Sequence, residues 1–213
     1  MFDLRPILLV VGILLTTLGC AMLVPAIFDL ALNDPDWVVF AASAGFTLFV
    51  GISLALVTWG RTEYLSVKQA FVLTNVSWVA LAGFAALPIA LADIDLNYTD
   101  AFFEAMSGLT TTGATVIVGL DEAPPGLLLW RGLLQWLGGI GIIVMAIAVL
   151  PMLQVGGMQL FRMESSDTSE KILPRATQIA GSITIIYISL TAACALSYLF
   201  AGMDPFDALV HAM

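Results

Sequence analysis

Long apolar runs separated by short polar breaks dominate the hydropathy pattern of this chain. Five of them, at residues 7–32, 37–59, 70–92, 130–150 and 177–201, reach the roughly 20 residues that a helix needs to cross a bilayer. The break at 33–36 (NDPD) turns the first run directly into the second. The break between the third and fourth runs is different. Residues 100–115 read DAFFEAMSGLTTTGAT, a helix too short to cross that runs into a Thr/Gly stretch with almost no side-chain bulk. Span, half-length helix, Thr-Gly loop, span is the order of a re-entrant pore loop. Bare backbone at membrane depth is tolerated only where it is buried in protein or lines a cavity. Carbonyl oxygens held there can replace the hydration shell of a cation. The pattern predicts an all-α polytopic membrane protein with a channel-like fold, part of an ion-conducting assembly.

Composition agrees. The chain is 60% hydrophobic and 11% charged, with a mean hydropathy of +1.01, whereas soluble domains carry about 25% charged residues. Basic residues mark the cytoplasmic side. With the N-terminus cytoplasmic, Arg5, Arg61, Lys68, Arg162, Lys171 and Arg175 all fall inside, and Arg131 alone falls outside. The net charge of −9 gathers on the outer segments, in Asp29, Asp34, Asp36, Asp93, Asp95, Asp100, Glu104, Asp121, Glu122, Asp204 and Asp207. Such a face either concentrates cations or is simply a solvated loop surface. There is no basic patch for nucleic acid. The first apolar run is too long for a cleavable signal peptide and is expected to stay as a span. Cys20 and Cys194 fall inside spans and read as buried thiols, not as a disulfide or a metal site. No Walker, dinucleotide-binding, zinc or nucleophile–base pattern appears, so neither an enzyme nor a bound cofactor is expected.

The organisation reads as a two-span hairpin (1–68), a first span–pore helix–filter–span unit (69–152), a cytoplasmic loop (153–176) and the start of a second unit (177–213). The second unit rests on a short internal match. YTDAFFEAM at 98–106 overlays PFDALVHAM at 205–213, so Asp100, Ala101, Ala105 and Met106 recur as Asp207, Ala208, Ala212 and Met213. Each segment directly follows an apolar span. With the chain stopping inside the second short helix, the expectation is an N-terminal piece of a longer protein that repeats the unit.

The chemistry concentrates at Thr111, Thr112, Gly113 and Ala114, the candidate filter, flanked by Thr110 and Thr115. Gly113 can adopt backbone angles closed to other residues, and its small neighbours permit close approach. No acidic residue lies between 105 and 120. Hard divalent ions recruit carboxylates, so a monovalent cation is favoured. The plainer alternative is a Thr/Gly loop that caps a helix. Thr99 or Asp100 is expected as the N-cap of the short helix, whose negative C-terminal end would point toward mid-membrane. Glu104 lies one turn from Asp100 on the same face. The two either attract cations at an outer mouth or face outer water, the second being preferred. Arg131 is placed to pair with an outer acid such as Glu104. The glycines of QWLGGIG (135–141) serve tight helix packing or a hinge, with packing preferred. The amphipathic stretch 154–162 either lies at the membrane interface or receives a soluble partner.

These residues resemble the TrkH branch of the Trk/Ktr/HKT superfamily of K+ transport proteins. The resemblance rests on FFEAMSGLTTTGAT (102–115), LWRGLLQWLGGIG (129–141) and VGGMQLFR (155–162), and runs over the whole chain. It implies four span–pore loop–span units around one pseudo-fourfold pore, with an extra N-terminal hairpin. It implies one filter strand per unit, with Gly113 at the filter glycine and Thr111 and Thr112 at the adjacent K+-contacting positions. It also implies K+ as substrate, a lipid-embedded homodimer in the bacterial inner membrane, and a cytoplasmic nucleotide-binding regulatory subunit of the TrkA type. Filters two to four and the gating loop of the third unit are absent from this sequence, and one quadrant cannot enclose an ion. Two other readings stand beside this one. A cation-coupled secondary transporter with a broken helix would carry an ionisable residue at the centre of a span, and none is evident. A non-conducting membrane interaction protein would lack further Thr/Gly loops.

Overall fold

The first two apolar runs fold as an antiparallel hairpin, α1 (Arg5–Leu32) and α2 (Trp37–Thr58). Asn33 ends α1 at φ 59°, and the following N–H, of Asp34, donates to the Asp29 carbonyl at 2.9 Å. Asparagine is one of the few residues that tolerate this left-handed conformation. The two backbones touch. A Cβ at Gly12 would stand 2.7 Å from the Ala55 nitrogen, and one at Gly51 would stand 2.7 Å from the Thr16 nitrogen. Between lipid-immersed helices, such close packing replaces the hydrophobic drive that water supplies elsewhere.

This computed structural model describes residues 3–60, 66–120, 123–153 and 169–213. All regular elements among them are helical, and five helices are long and apolar enough to cross a membrane, as the hydropathy pattern predicts. Arg61, Asp121, Glu122 and the stretch 154–162 lie outside the described residues.

α3 (Val67–Leu91) opens with a capping box in which Ser66 and Gln69 satisfy each other's backbone N–H groups. Pro88 lies inside α3. It has no N–H and crowds the turn before it. Two side chains donate to α3 carbonyls close by, Tyr98 Oη to Gly83 at 2.9 Å and Trp130 Nε1 to Ala85 at 3.0 Å. Trp130 is fully buried and stands edge-on to Phe40, with ring centroids 6.3 Å apart. One tryptophan thereby ties α2 and α3 to α5 (Pro125–Leu153). Between α3 and α5 lies α4 (Tyr98–Leu109), whose 12 residues span about 18 Å, too short for a core of about 30 Å.

The chain divides into two compact units, Met1–Gly138 and Gly139–Met213. In the second, α6 (Ser169–Phe200) turns at Gly202, φ 94°, into the short α7 (Pro205–Ala212). A long helix followed by a short one therefore occurs again, as in α3 and α4.

Three expectations need correction. α5 starts at Pro125 instead of 130, since a proline is well tolerated at the first helical position, and it runs past Pro151 to Leu153. α6 starts at Ser169, so residues 169–176, expected in a loop, are helical. Cys20 is exposed on α1 and Cys194 is partly so, and both are free thiols; position within an apolar run does not decide which face of the helix a residue occupies.

Candidate functional site

The N-cap of α4 is Asn97, not Thr99 or Asp100. Its Oδ1 accepts the N–H groups of Thr99 (2.9 Å) and Asp100 (3.0 Å), and its amide donates to Asp100 Oδ2 at 2.7 Å. Helical geometry begins one residue later, at Tyr98, which the Gly83 contact anchors. Asp100 thus sits in the first turn, where its charge suits the positive helix end.

The other end of α4 is closed by a Schellman motif. The Thr112 N–H donates to the Ser107 carbonyl and the Thr111 N–H to the Gly108 carbonyl, each at 2.9 Å. The residue between cap and loop is Thr111, at φ 55°. Glycine usually holds this place, and a β-branched residue there is strained by about 1–3 kcal/mol. The equivalent residue at the end of α6 is Gly202. Two residues after Thr111, Gly113 is again left-handed, at φ 76°. The capping reading and the filter reading of this stretch are therefore compatible, because the loop grows out of the cap.

Beyond the cap, the chain turns back along α4. Ser107 Oγ donates to the Ala114 carbonyl at 2.6 Å. One turn earlier in α4, Glu104 Oε2 accepts the Thr115 hydroxyl at 3.1 Å and the Val116 N–H at 3.0 Å. Glu104 Oε1 accepts Arg131 Nε at 2.6 Å, with Nη2 at 2.5 Å. The expected Glu104–Arg131 pair is thus formed. The expectation that Glu104 faces outer water is overturned: the residue is 2% exposed, and a buried carboxylate must be paired and hydrogen-bonded. Gly138, on α5, lets the end of α4 seat against it, since a Cβ there would overlap the Leu109 backbone. This is the packing role expected of the 135–141 glycines.

The returning loop leaves a particular set of oxygens free. Residues 111–115 are exposed. Among the described residues, the carbonyls of Thr111, Thr112 and Gly113 accept no hydrogen bond, whereas that of Ala114 is taken by Ser107. Thr110 and Thr112 join their hydroxyls at 2.8 Å, and Thr110 also donates to the Met106 carbonyl. Where the loop ends, a cleft of about 530 Å³ is lined by Asp93, Asp95 and residues 116–119. Near it, burial and then the charges of Asp34 and Asp93 push the Asp36 carboxyl above the ordinary carboxylate range. Two of the acids assigned to a solvated face are in fact buried, Asp29 at 0% and Asp36 at 7% exposure. In the second unit, His211 occupies the place that matches Glu104 and bonds through Nδ1 to the Asp207 carbonyl at 2.8 Å.

Asn97, Ser107 and Trp130 escaped the sequence reading. An Asn followed within a few residues by an apolar helix is a usable cap signal. Ser107 reaches only seven residues along the chain, to Ala114, but carries no pattern that marks it out, and Trp130 acts across 45 positions, which no local pattern reports.

The TrkH model, a cation transport protein family, matches residues 37–213. The chain is 45% identical over 208 residues to the Trk system potassium uptake protein TrkI of Halomonas elongata, covering 98% of this chain and 42% of that protein. It is 42% identical over 214 residues to the Trk system potassium uptake protein TrkH of Escherichia coli K12, covering 97% and 44%. The crystal structure of the potassium transporter TrkH from Vibrio parahaemolyticus superposes with a TM-score of 0.86 at 39% identity, over 99% of this chain and 42% of that one. The chain spans less than half the length of these relatives. With a family match over most of its residues, this chain belongs to the TrkH family of cation transport proteins.

Proposed function

We propose that this chain supplies the hairpin and one pore unit of a pore-forming subunit that moves K+ across the bacterial inner membrane. The observation that carries this reading is the run of carbonyls at Thr111, Thr112 and Gly113, which accept no hydrogen bond among the described residues, held on a loop whose far end is fixed at Glu104. Neutral oxygens from a fixed backbone suit a dehydrated monovalent cation. Thr111 and Thr112 contribute the K+ contacts, Gly113 allows the turn between successive carbonyls, and Ala114 closes the stretch. Thr110 and Thr115 support it from either side. Asp93, Asp95 and Asp100 place negative charge at the mouth, and Arg131 acts only through Glu104. The names of the relatives, potassium uptake proteins, support K+ as the cargo.

The same reading places the N-terminus in the cytoplasm, pairs the complete subunit as a homodimer and gives it a nucleotide-binding regulatory subunit of the TrkA type. The test is rescue of a K+-uptake-deficient bacterium on low K+ by the complete gene, with and without Gly113→Asp. Growth with the wild type but not with an equally abundant variant is expected. Equal rescue by the variant would remove the filter assignment. No rescue by wild type co-expressed with its regulatory subunit would remove K+ uptake.

A further inference from the structure

Asp29 sits in the last turn of α1 and is fully buried, and the group that offers its carboxylate a hydrogen bond is the backbone N–H of Gly126. The carboxylate lies against Gly126, the second residue of α5, and a Cβ at that position would overlap it. Of the groups that act on it, Asp34 and Asp36 carry its own sign, and the Gly126 N–H at the start of α5 opposes them. A buried charge in such company needs compensation, and the positive N-terminal end of α5 faces it. α5 in turn carries Arg131, between one and two turns further on. Arg131 holds Glu104, and Glu104 holds Thr115 and Val116.

We propose that Asp29 is a positioning residue, whose charge fixes where α5 begins and, through Arg131 and Glu104, where the far end of the 111–115 loop lies. The inference rests on the transport reading above. It gives the N-terminal hairpin, which the hydropathy pattern leaves peripheral, a direct hold on the pore unit. It also accounts for glycine at 126, the one residue with no Cβ to collide with the carboxylate.

The test uses the complete gene product in a bacterium lacking its own K+ uptake systems. Rb+ and Na+ uptake are measured per membrane copy for wild type, Asp29→Asn, Asp29→Ala, Gly126→Ala and the double variant Asp29→Ala/Gly126→Ala. Asp29→Asn keeps shape and removes charge, and is expected to lower the Rb+ to Na+ ratio by roughly tenfold at unchanged abundance, as small displacements of a site do. Gly126→Ala is expected to do the same beside Asp29 and to add nothing in the Asp29→Ala background. A wild-type ratio in Asp29→Asn overturns the role of the charge. An effect of Gly126→Ala that ignores residue 29 overturns the contact. A wild type that takes up no Rb+ overturns the transport reading instead. Unfolding midpoints of the same purified proteins in detergent then decide the contact: a fall with Gly126→Ala only when Asp29 is present supports it, and additive changes overturn it.

Discussion

Arg131 and Glu104 meet across 27 positions of chain, with Nε 2.6 Å from Oε1. The carboxylate is shared by function: one oxygen holds the cation of α5, and the other holds the Val116 N–H of the returning loop at 3.0 Å. A single buried side chain therefore joins α4, α5 and the far end of the candidate filter.

Removing the cationic partner is expected to do the most damage. Arg131→Met leaves Glu104 charged and buried, which costs about 3–5 kcal/mol. Arg131→Lys keeps the charge but loses the planar fork, and should fall between the two. Thermal unfolding in detergent orders the three proteins; an Arg131→Met midpoint equal to wild type would show that the pair contributes nothing.

Ser107→Ala separates shape from stability. It removes the 2.6 Å bond to the Ala114 carbonyl, a loss of about 1 kcal/mol. The freed carbonyl joins those of 111–113. A clear change in the Rb+ to Na+ uptake ratio, with only a small fall in midpoint, is the expected result.

The two left-handed residues should respond with opposite signs. Thr111→Gly relieves a strained φ of 55° and is expected to stabilise by about 1 kcal/mol. Gly113→Ala puts a Cβ into open space but at φ 76°, and is expected to destabilise by about 1 kcal/mol. Unfolding midpoints of both variants settle this, and transport assays on Thr111→Gly show whether the threonine side chain matters apart from the fold.

Asn97→Ala removes the cap that takes two N–H groups of α4. A loss of about 1 kcal/mol follows from the usual worth of such caps. Asn97→Asp should preserve most of it, measured in the same way.

Acidity enters through Asp36. Its folded-state affinity for a proton is raised, by burial first and then by Asp34 and Asp93. The folded protein thus binds this proton more readily than the unfolded chain does. The stabilisation is fully present below the unfolded Asp value of about 4 and is lost as pH rises through the raised folded value. Asp36→Asn should therefore flatten the dependence and raise the midpoint at neutral pH. A variant that follows the wild-type pH curve would exclude Asp36 as its source.

The membrane helices were legible because apolar run length alone decides whether a helix can cross. α4 was legible for the complementary reason: it is too short, and a Thr/Gly stretch follows it. The Arg131–Glu104 pair was legible because few charges exist in these segments, so each must find another. Facing was not legible. Glu104 and Asp29 have the sequence context of surface acids, and only the packing of α1 and α5 around them shows that they are buried. Helix ends also slipped, at Asn97 and at Ser169, because capping bonds and extra helical turns depend on neighbours that periodicity does not contain.

The Schellman closure at Thr111 bears on the order of events during biogenesis. The bonds that bend the loop are mostly local: Ser107 to Thr112 and Ala114, and Glu104 to Thr115 and Val116. A stretch of a dozen residues can take its curvature as soon as α4 forms and α5 brings Arg131 to Glu104, before any neighbouring unit is inserted. What joins this unit later then meets a loop that is already shaped, with little backbone left to order.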